Sequence, residues 1–121
     1  MFIRFIVNKK HIKSNRRLGI FHAIRYLRDD GELTADELRE MDQVMDWFAN
    51  HLEAPERLSQ VKAISWFKDS AKDHISNIRK IICVLKTHNI DVDMVRTDKP
   101  GYLVYEDDYQ VFAEPFSETP K

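Results

Sequence analysis

One cysteine, Cys83, stands in the 121 residues, so no internal disulfide can form; with a lone thiol the sequence points to a reducing compartment. Three glycines leave no material for a phosphate-cradling glycine-rich loop. No apolar run approaches the roughly 18 residues of a membrane span. The apolar start, Met1 to Val7, carries Arg4 and lacks a small-residue cleavage site, so it does not read as a signal peptide. No membrane association is expected, and the cytoplasm is the expected location.

Catalytic signatures are equally scarce. None of His11, His22, His51, His74 and His88 belongs to a His-Glu-x-x-His pair, and no two share i, i+4 spacing on one helix. They read as solvated or structural residues, with His22, beside an apolar stripe and near Arg25, the one expected to be half-buried. Cys83, next to Ile82, reads as a buried structural cysteine. Glu106-Asp107-Asp108 lacks the spacing of a calcium loop and reads as a solvated hairpin tip. No catalytic, cofactor-binding or metal-ligating residue is assigned. An enzyme is unsupported, save one whose site is assembled across the fold.

What is present is a chain 43% hydrophobic and 32% charged, long enough to bury a core as a single domain over 1–121, with a frayed tail at 117–121. Phe2–Val7 is a strand candidate with Ile3, Phe5 and Val7 on one face. Ser14 or Asn15 is placed to cap a helix running to about Arg28. Gly19 within that helix costs about 1 kcal/mol relative to Ala, which a close helix–sheet approach would explain. Thr34-Ala35-Asp36-Glu37 is a capping box. Behind it Leu38, Met41, Met45, Phe48 and Leu52 form one helical stripe that Pro55 stops. After a connector over 56–62, a third helix is expected from near Ser65 to Asn89, on the stripe Phe67, Ala71, Ile75, Ile78, Ile82 and Leu85.

The densest strand signal is 91–116. Val92–Arg96 reads as a strand, and Asp98-Lys99-Pro100-Gly101 supplies turn chemistry with positive φ expected at the glycine. Tyr102–Tyr105 and Gln110–Ala113 then form a hairpin, with Tyr105 opposite Gln110, Val104 opposite Val111 and Leu103 opposite Phe112. That register leaves neither hairpin face cleanly polar. The expected fold is α+β: three helices on one face of a mostly antiparallel three- to four-stranded sheet, in the order β-α-α-α-β-β-β. The sheet's other face needs a tail, a loop or a partner over it.

The segments Ala63-Ile64-Ser65-Trp66-Phe67-Lys68-Asp69-Ser70-Ala71, Pro100-Gly101-Tyr102 with Val104-Tyr105-Glu106-Asp107, and Ala113-Glu114-Pro115-Phe116 resemble a group of short bacterial proteins of uncharacterised function. The resemblance spans most of the chain. It implies a bacterial, cytoplasmic source and brings with it no activity, cofactor or site.

Charge is split along the chain. Residues 1–28 hold eight Lys or Arg and no acid, residues 29–56 hold ten acids and only Arg39, and the remainder balances. Packing of the basic first helix against the acidic second accounts for Arg25 and Arg28. It leaves Lys9, Lys10, Lys13, Arg16 and Arg17, a cluster suited to phosphates but without aromatic partners for bases. Trp66 and Trp47 fall off their stripes, and each either plugs a gap or anchors a partner. The leading expectation is a protein-interaction or regulatory module acting on a protein partner or as a homodimer, through Trp66, Lys68, Tyr102, Tyr105 and Phe112. Weak nucleic-acid binding through the basic 9–17 segment is the second.

Overall fold

A computed structural model describes residues 1–10, 17–54, 63–117 and 119, with the backbone alone at 8–10, 17 and 18. Six strands and three helices follow in the order β1 (Phe2–Lys10), β2 (Arg17–Gly19), α1 (Ile20–Asp29), α2 (Ala35–His51), β3 (Ile64–Lys68), α3 (Lys72–Thr87), β4 (Val92–Thr97), β5 (Tyr102–Glu106) and β6 (Gln110–Glu114). The class is α+β, with three helices and an antiparallel sheet.

Strand β1 is the hub. One of its edges pairs with β4 along Phe2 to Val7. The other is shared by β3, opposite Phe2 and Ile3, and by β2, opposite Ile6 and Lys10. β3 then pairs with β6, and β6 with β5. Ile3, Phe5 and Val7 turn to the helices and pack with Ile20, Ala23 and Ile24 of α1, Met41, Val44 and Phe48 of α2, and Ile78, Ile81, Val84 and Leu85 of α3. Phe67 of β3 joins that core.

The sheet has six strands rather than three or four, because Ile64–Lys68 and Arg17–Gly19 are strands. Helix α3 therefore starts at Lys72 and not near Ser65. The apolar spacing of Phe67 and Ala71 mimics a helical stripe. The alternation that governs is Trp66 against Phe67, two aromatic neighbours buried on opposite faces of a pleated strand. Helix α1 starts at Ile20, capped by Gly19 in extended conformation, so Gly19 is a cap and not an interior residue. A Cβ built there meets nothing within 4 Å, so no close helix–sheet approach explains the glycine. The proposed caps Ser14 and Asn15, like the connector over 56–62, lie outside the described residues.

The α2 capping box is present in full. The Glu37 amide donates to Thr34 Oγ1 at 3.2 Å, and the Thr34 amide donates back to the Glu37 carboxylate at 3.0 Å. His88, at the C-cap of α3, donates from Nε2 to the same carboxylate at 3.0 Å, tying the end of one helix to the start of another. The backbone hydrogen bond from Thr34, then the contact with His88, holds the Glu37 carboxyl below the usual carboxylate range. Arg28 reaches Asp42 across α1 and α2 at 3.5 Å, as the charge split suggests. His22 and Cys83 are both exposed, contrary to expectation. The buried line of α3 runs through Ile78, Ile81, Val84 and Leu85, which turns Cys83 outward.

The sheet face away from the helices is also closed at its centre. Ile6 lies between Phe5 and Val7, and Trp66 beside Phe67, so both point away from the helical core. Trp66 pairs with Val111 and Ile64 with Ala113, which places those two on the same side. Ile6, Trp66, Val111 and Ala113 are all at most 1% exposed within the single chain. Of the three covers expected for this face, a tail, a loop or a partner, a partner is not required at that centre.

Gly101 has φ +132°, and a Cβ there would sit 1.9 Å from the carbonyl oxygen of Glu114. Gly101→Ala is expected to lower unfolding free energy by at least about 2 kcal/mol, from backbone strain and steric overlap together. Gly19→Ser adds a capping hydroxyl in open space, and should raise stability by a few tenths of a kcal/mol, about the difference between glycine and serine caps. Urea denaturation of the two variants measures both.

Candidate interaction surface

The β5–β6 hairpin is shaped by one carboxylate. Asp107 Oδ1 accepts from the backbone amides of Tyr109 at 2.8 Å and Gln110 at 3.0 Å. Its Oδ2 accepts from the Tyr105 hydroxyl at 3.0 Å and from Gln110 Nε2 at 3.1 Å. An Asp side chain that holds the amides two and three residues on imitates a backbone turn, which is why the loop closes without glycine. Burial works to raise the carboxyl's pKa, but the amide of Tyr109 and the two Gln110 groups outweigh it and hold Asp107 below the usual range. Desolvation, with Asp107 alongside, pushes the Tyr105 phenol above its ordinary value. The tip is thus a structural knot and not a merely solvated acidic loop.

This knot shifts the hairpin register from the expected one. Glu106 faces Val111 and Tyr105 faces Phe112, then Leu103 faces Ala113 and Tyr102 faces Glu114, with Val104 left as the extra residue. The bulge reverses the sides beyond it. Tyr102 stays on the side of Tyr105 and Phe112, while Leu103 turns to the side of Trp66 and Val111. Aromatic pairs follow: Tyr105 meets Phe112 at 5.8 Å between ring centres, and Tyr102 meets Phe116 at 4.6 Å, both near edge-to-face.

Of the five residues expected to form a contact surface, the hairpin thus brings three together: Tyr102, Tyr105 and Phe112. Lys68 lies across the sheet, bridged to Glu106 at 2.7 Å. Trp66 is fully buried, so it is corrected from a surface anchor to a core residue that fills the second face of the sheet. Its indole Nε1 has no acceptor among the described residues. Trp47 is likewise a packing residue, edge-on to Phe48 at 5.2 Å and stacked on His51 at 4.4 Å. Of the basic cluster, Lys9 and Lys10 fall on β1 and Arg17 on β2 by backbone; Lys13 and Arg16 lie outside the described residues.

Outward from the hairpin, Tyr102, Leu103 and Val104 are 67%, 49% and 40% exposed. β5 is the last strand of its sheet, so among the described residues its outer backbone edge has no strand beside it. The edge carries no proline and no Lys or Arg, two devices that ordinarily discourage pairing; the bulge is the one it has.

Sequence reasoning missed a second cluster, which seats the hairpin on the helices. His74, 3% exposed, donates from Nε2 to the His51 carbonyl at 2.8 Å. Its ring lies against Tyr109 at 4.3 Å and Trp47 at 4.8 Å. Gln110, equally buried, donates to the Glu53 carbonyl at 2.7 Å. His74 continues the Ile78, Ile81, Leu85 line of α3 one turn earlier, and that spacing is the signal that could have found it. An open cleft of about 180 Å³ lies beside it, lined by Trp47, His51, Lys72 and Asp73 among others. Among the described residues, no group of three His, Cys, Asp or Glu side chains gathers to hold a metal. No helix of the described residues is long and apolar enough to cross a membrane.

Comparison with protein-family models, with curated proteins and with solved structures finds no match for this chain.

The depressed pKa of Asp107 sets a pH signature. A carboxyl whose folded pKa lies below its unfolded value contributes stability at neutral pH, and that contribution is lost as pH falls through the folded value. Asp107→Ala is expected to cost about 2 kcal/mol at pH 7, where hydrogen bonds to a charged acceptor are lost. The gap from wild type should narrow below about pH 4, the ordinary Asp range. Urea unfolding at a series of pH values follows it; a gap that stays constant down to pH 2 would contradict the assigned role.

Proposed function

We propose that this chain is a protein-interaction module whose contact surface is the outer edge of β5, and that it receives an extended, apolar segment of a partner protein flanked by Lys or Arg. The observation that carries this is the run Tyr102-Leu103-Val104, exposed and apolar on an outermost strand. The edge strand offers backbone pairing, and side chains on its two faces offer recognition, as in β-strand addition. Charge supports a basic partner. From Pro100 to Pro115 the hairpin carries Glu106, Asp107, Asp108 and Glu114 and no cation.

Magnitudes favour a transient contact. Each backbone hydrogen bond contributes about 0.5–1.5 kcal/mol net, and the bulge at Val104 restricts the paired run to a few residues. Leu103 and the Tyr102 ring are already partly covered, so completing their burial adds about 1–2 kcal/mol each. Association itself costs about 4–15 kcal/mol. The balance permits a weak, readily reversed complex and not a permanent one.

A synthetic peptide of alternating valine and lysine, titrated into isotope-labelled protein, tests this reading. Saturable shifts of the Tyr102–Glu106 amides are expected, absent with the valine–glutamate counterpart and lost in Leu103→Glu. Shifts confined to other strands, or none, would overturn it. So would sedimentation that changes with protein concentration and is abolished by Leu103→Glu, since the occupant would then be a second copy of the chain.

A further inference from the structure

The opposite edge of the sheet carries a different surface. Strand β4 lies outside β1 and beside α3, and its pairing places Arg96 opposite Ile3 and Met94 opposite Phe5. Ile3 and Phe5 face the helices, so Arg96 and Met94 do too. Helix α3 does not extend over them, since Met94 remains 50% exposed. The result is an open groove of about 390 Å³ between α3 and β4. Its floor is apolar, from Ile3, Ile75 and Met94, and its walls carry Lys72, Ser76 and Arg79 from α3 and Arg96 from β4.

Lys72, Ser76 and Arg79 stand at i, i+4 and i+7, so one stripe of α3 aims them at the groove. None of the three cations makes an ion pair among the described residues. The single carboxylate in the lining, Asp69, lies 3.8 Å from the α-amino group of Met1. Three like charges around one concavity repel one another, and an anion between them turns that repulsion into attraction. The guanidinium groups of Arg79 and Arg96 suit the paired oxygens of a phosphate better than point charges would. The apolar floor asks for more than a bare anion, and the volume is that of a small-molecule site.

We infer that the groove between α3 and β4 binds a small organic phosphate, with the phosphate held by Lys72, Arg79 and Arg96 and an apolar body resting on Ile3, Ile75 and Met94. The site is on the far edge of the sheet from β5 and does not depend on the interaction reading. A nucleic acid is the less fitting occupant, because the cations are gathered around one concavity that also holds the Asp69 carboxylate, rather than strung along a track.

Phenyl phosphate is the probe, followed by amide shifts of the full chain at low salt. Saturable shifts at Ile75, Arg79, Met94 and Arg96 are expected, with inorganic phosphate at least about tenfold weaker because it leaves the apolar floor unused. Arg79→Ala and Arg96→Ala should each weaken binding about tenfold with circular dichroism unchanged. Lys80→Ala, on α3 outside the groove, should leave it as it was. Binding should also weaken as pH falls below about 6, where the phosphate becomes a monoanion. Equal affinity for inorganic and phenyl phosphate would overturn the apolar subsite. Absence of saturable binding would overturn the site itself, as would binding of a single-stranded oligonucleotide alone, with affinity growing with its length.

Discussion

Everything in this fold depends on β1 being occupied on all four sides. Both of its edges are paired, one by β4 and the other by β3 and β2. Both of its faces are buried, with Ile3, Phe5 and Val7 under the helices and Ile6 on the reverse. A strand in that position satisfies its backbone groups through neighbours and excludes water from both rows of side chains. The sequence runs Phe-Ile-Arg-Phe-Ile-Val for that reason: a near-continuous apolar run, broken by Arg4, and not the alternation of a half-solvated strand.

The same constraint propagates to β3. Because β3 pairs with β1 on one side and β6 on the other, it is also interior, and its two central residues must both be apolar. Phe67 completes the helical core and Trp66 fills the reverse. This is why Trp66 cannot serve as an exposed anchor, although its residue type and its place off the helical stripe suggest one. Where two adjacent bulky residues lie in an interior strand, neither remains for a partner. The apolar surface left over is displaced outward to β5, whose distal edge nothing in the described fold requires to be covered.

How far this could be read from the sequence follows from how local each signal is. The capping box at Thr34 and Glu37 and the stripe through Met41 and Phe48 are set within a few residues, and both are present. The positive φ at Gly101 is local too. Other features are decided by distant neighbours. Val44, and not Leu38, joins the buried set of α2, because the side of the helix that meets β1 is fixed by tertiary packing. The strand nature of Ile64–Lys68 depends on partners some sixty residues before it and some forty-five after. The hairpin register follows from the Asp107 carboxylate taking two amides, a contact whose residue type was visible but whose geometry was not. Of the expected contact residues, Tyr102, Tyr105 and Phe112 meet on one side of the hairpin: a two-residue shift in register preserves the pairing side of Tyr105 and Phe112, and the bulge at Val104 brings Tyr102 to that side.

The two edges of the sheet are chemically unlike, and the difference arises from what packs beside each. β4 is flanked by α3, whose outer stripe contributes Lys72 and Arg79, so that edge becomes a cationic groove with an apolar floor. β5 has no described helix at its outer side and runs into the acidic loop Glu106-Asp107-Asp108, so that edge becomes an apolar ribbon with a carboxylate-rich tip. Two edges of opposite charge on one small domain would ordinarily invite edge-to-edge stacking of copies. The bulge at Val104 works against that: it places Tyr102 and Glu106 on opposite faces, so a symmetric pairing of two β5 strands cannot keep matching faces along its length. An asymmetric extended segment, able to pair with only one arm of the strand, is free of that restriction. The bulge is therefore compatible with a short foreign strand at β5 while it disfavours a continuous sheet across two copies.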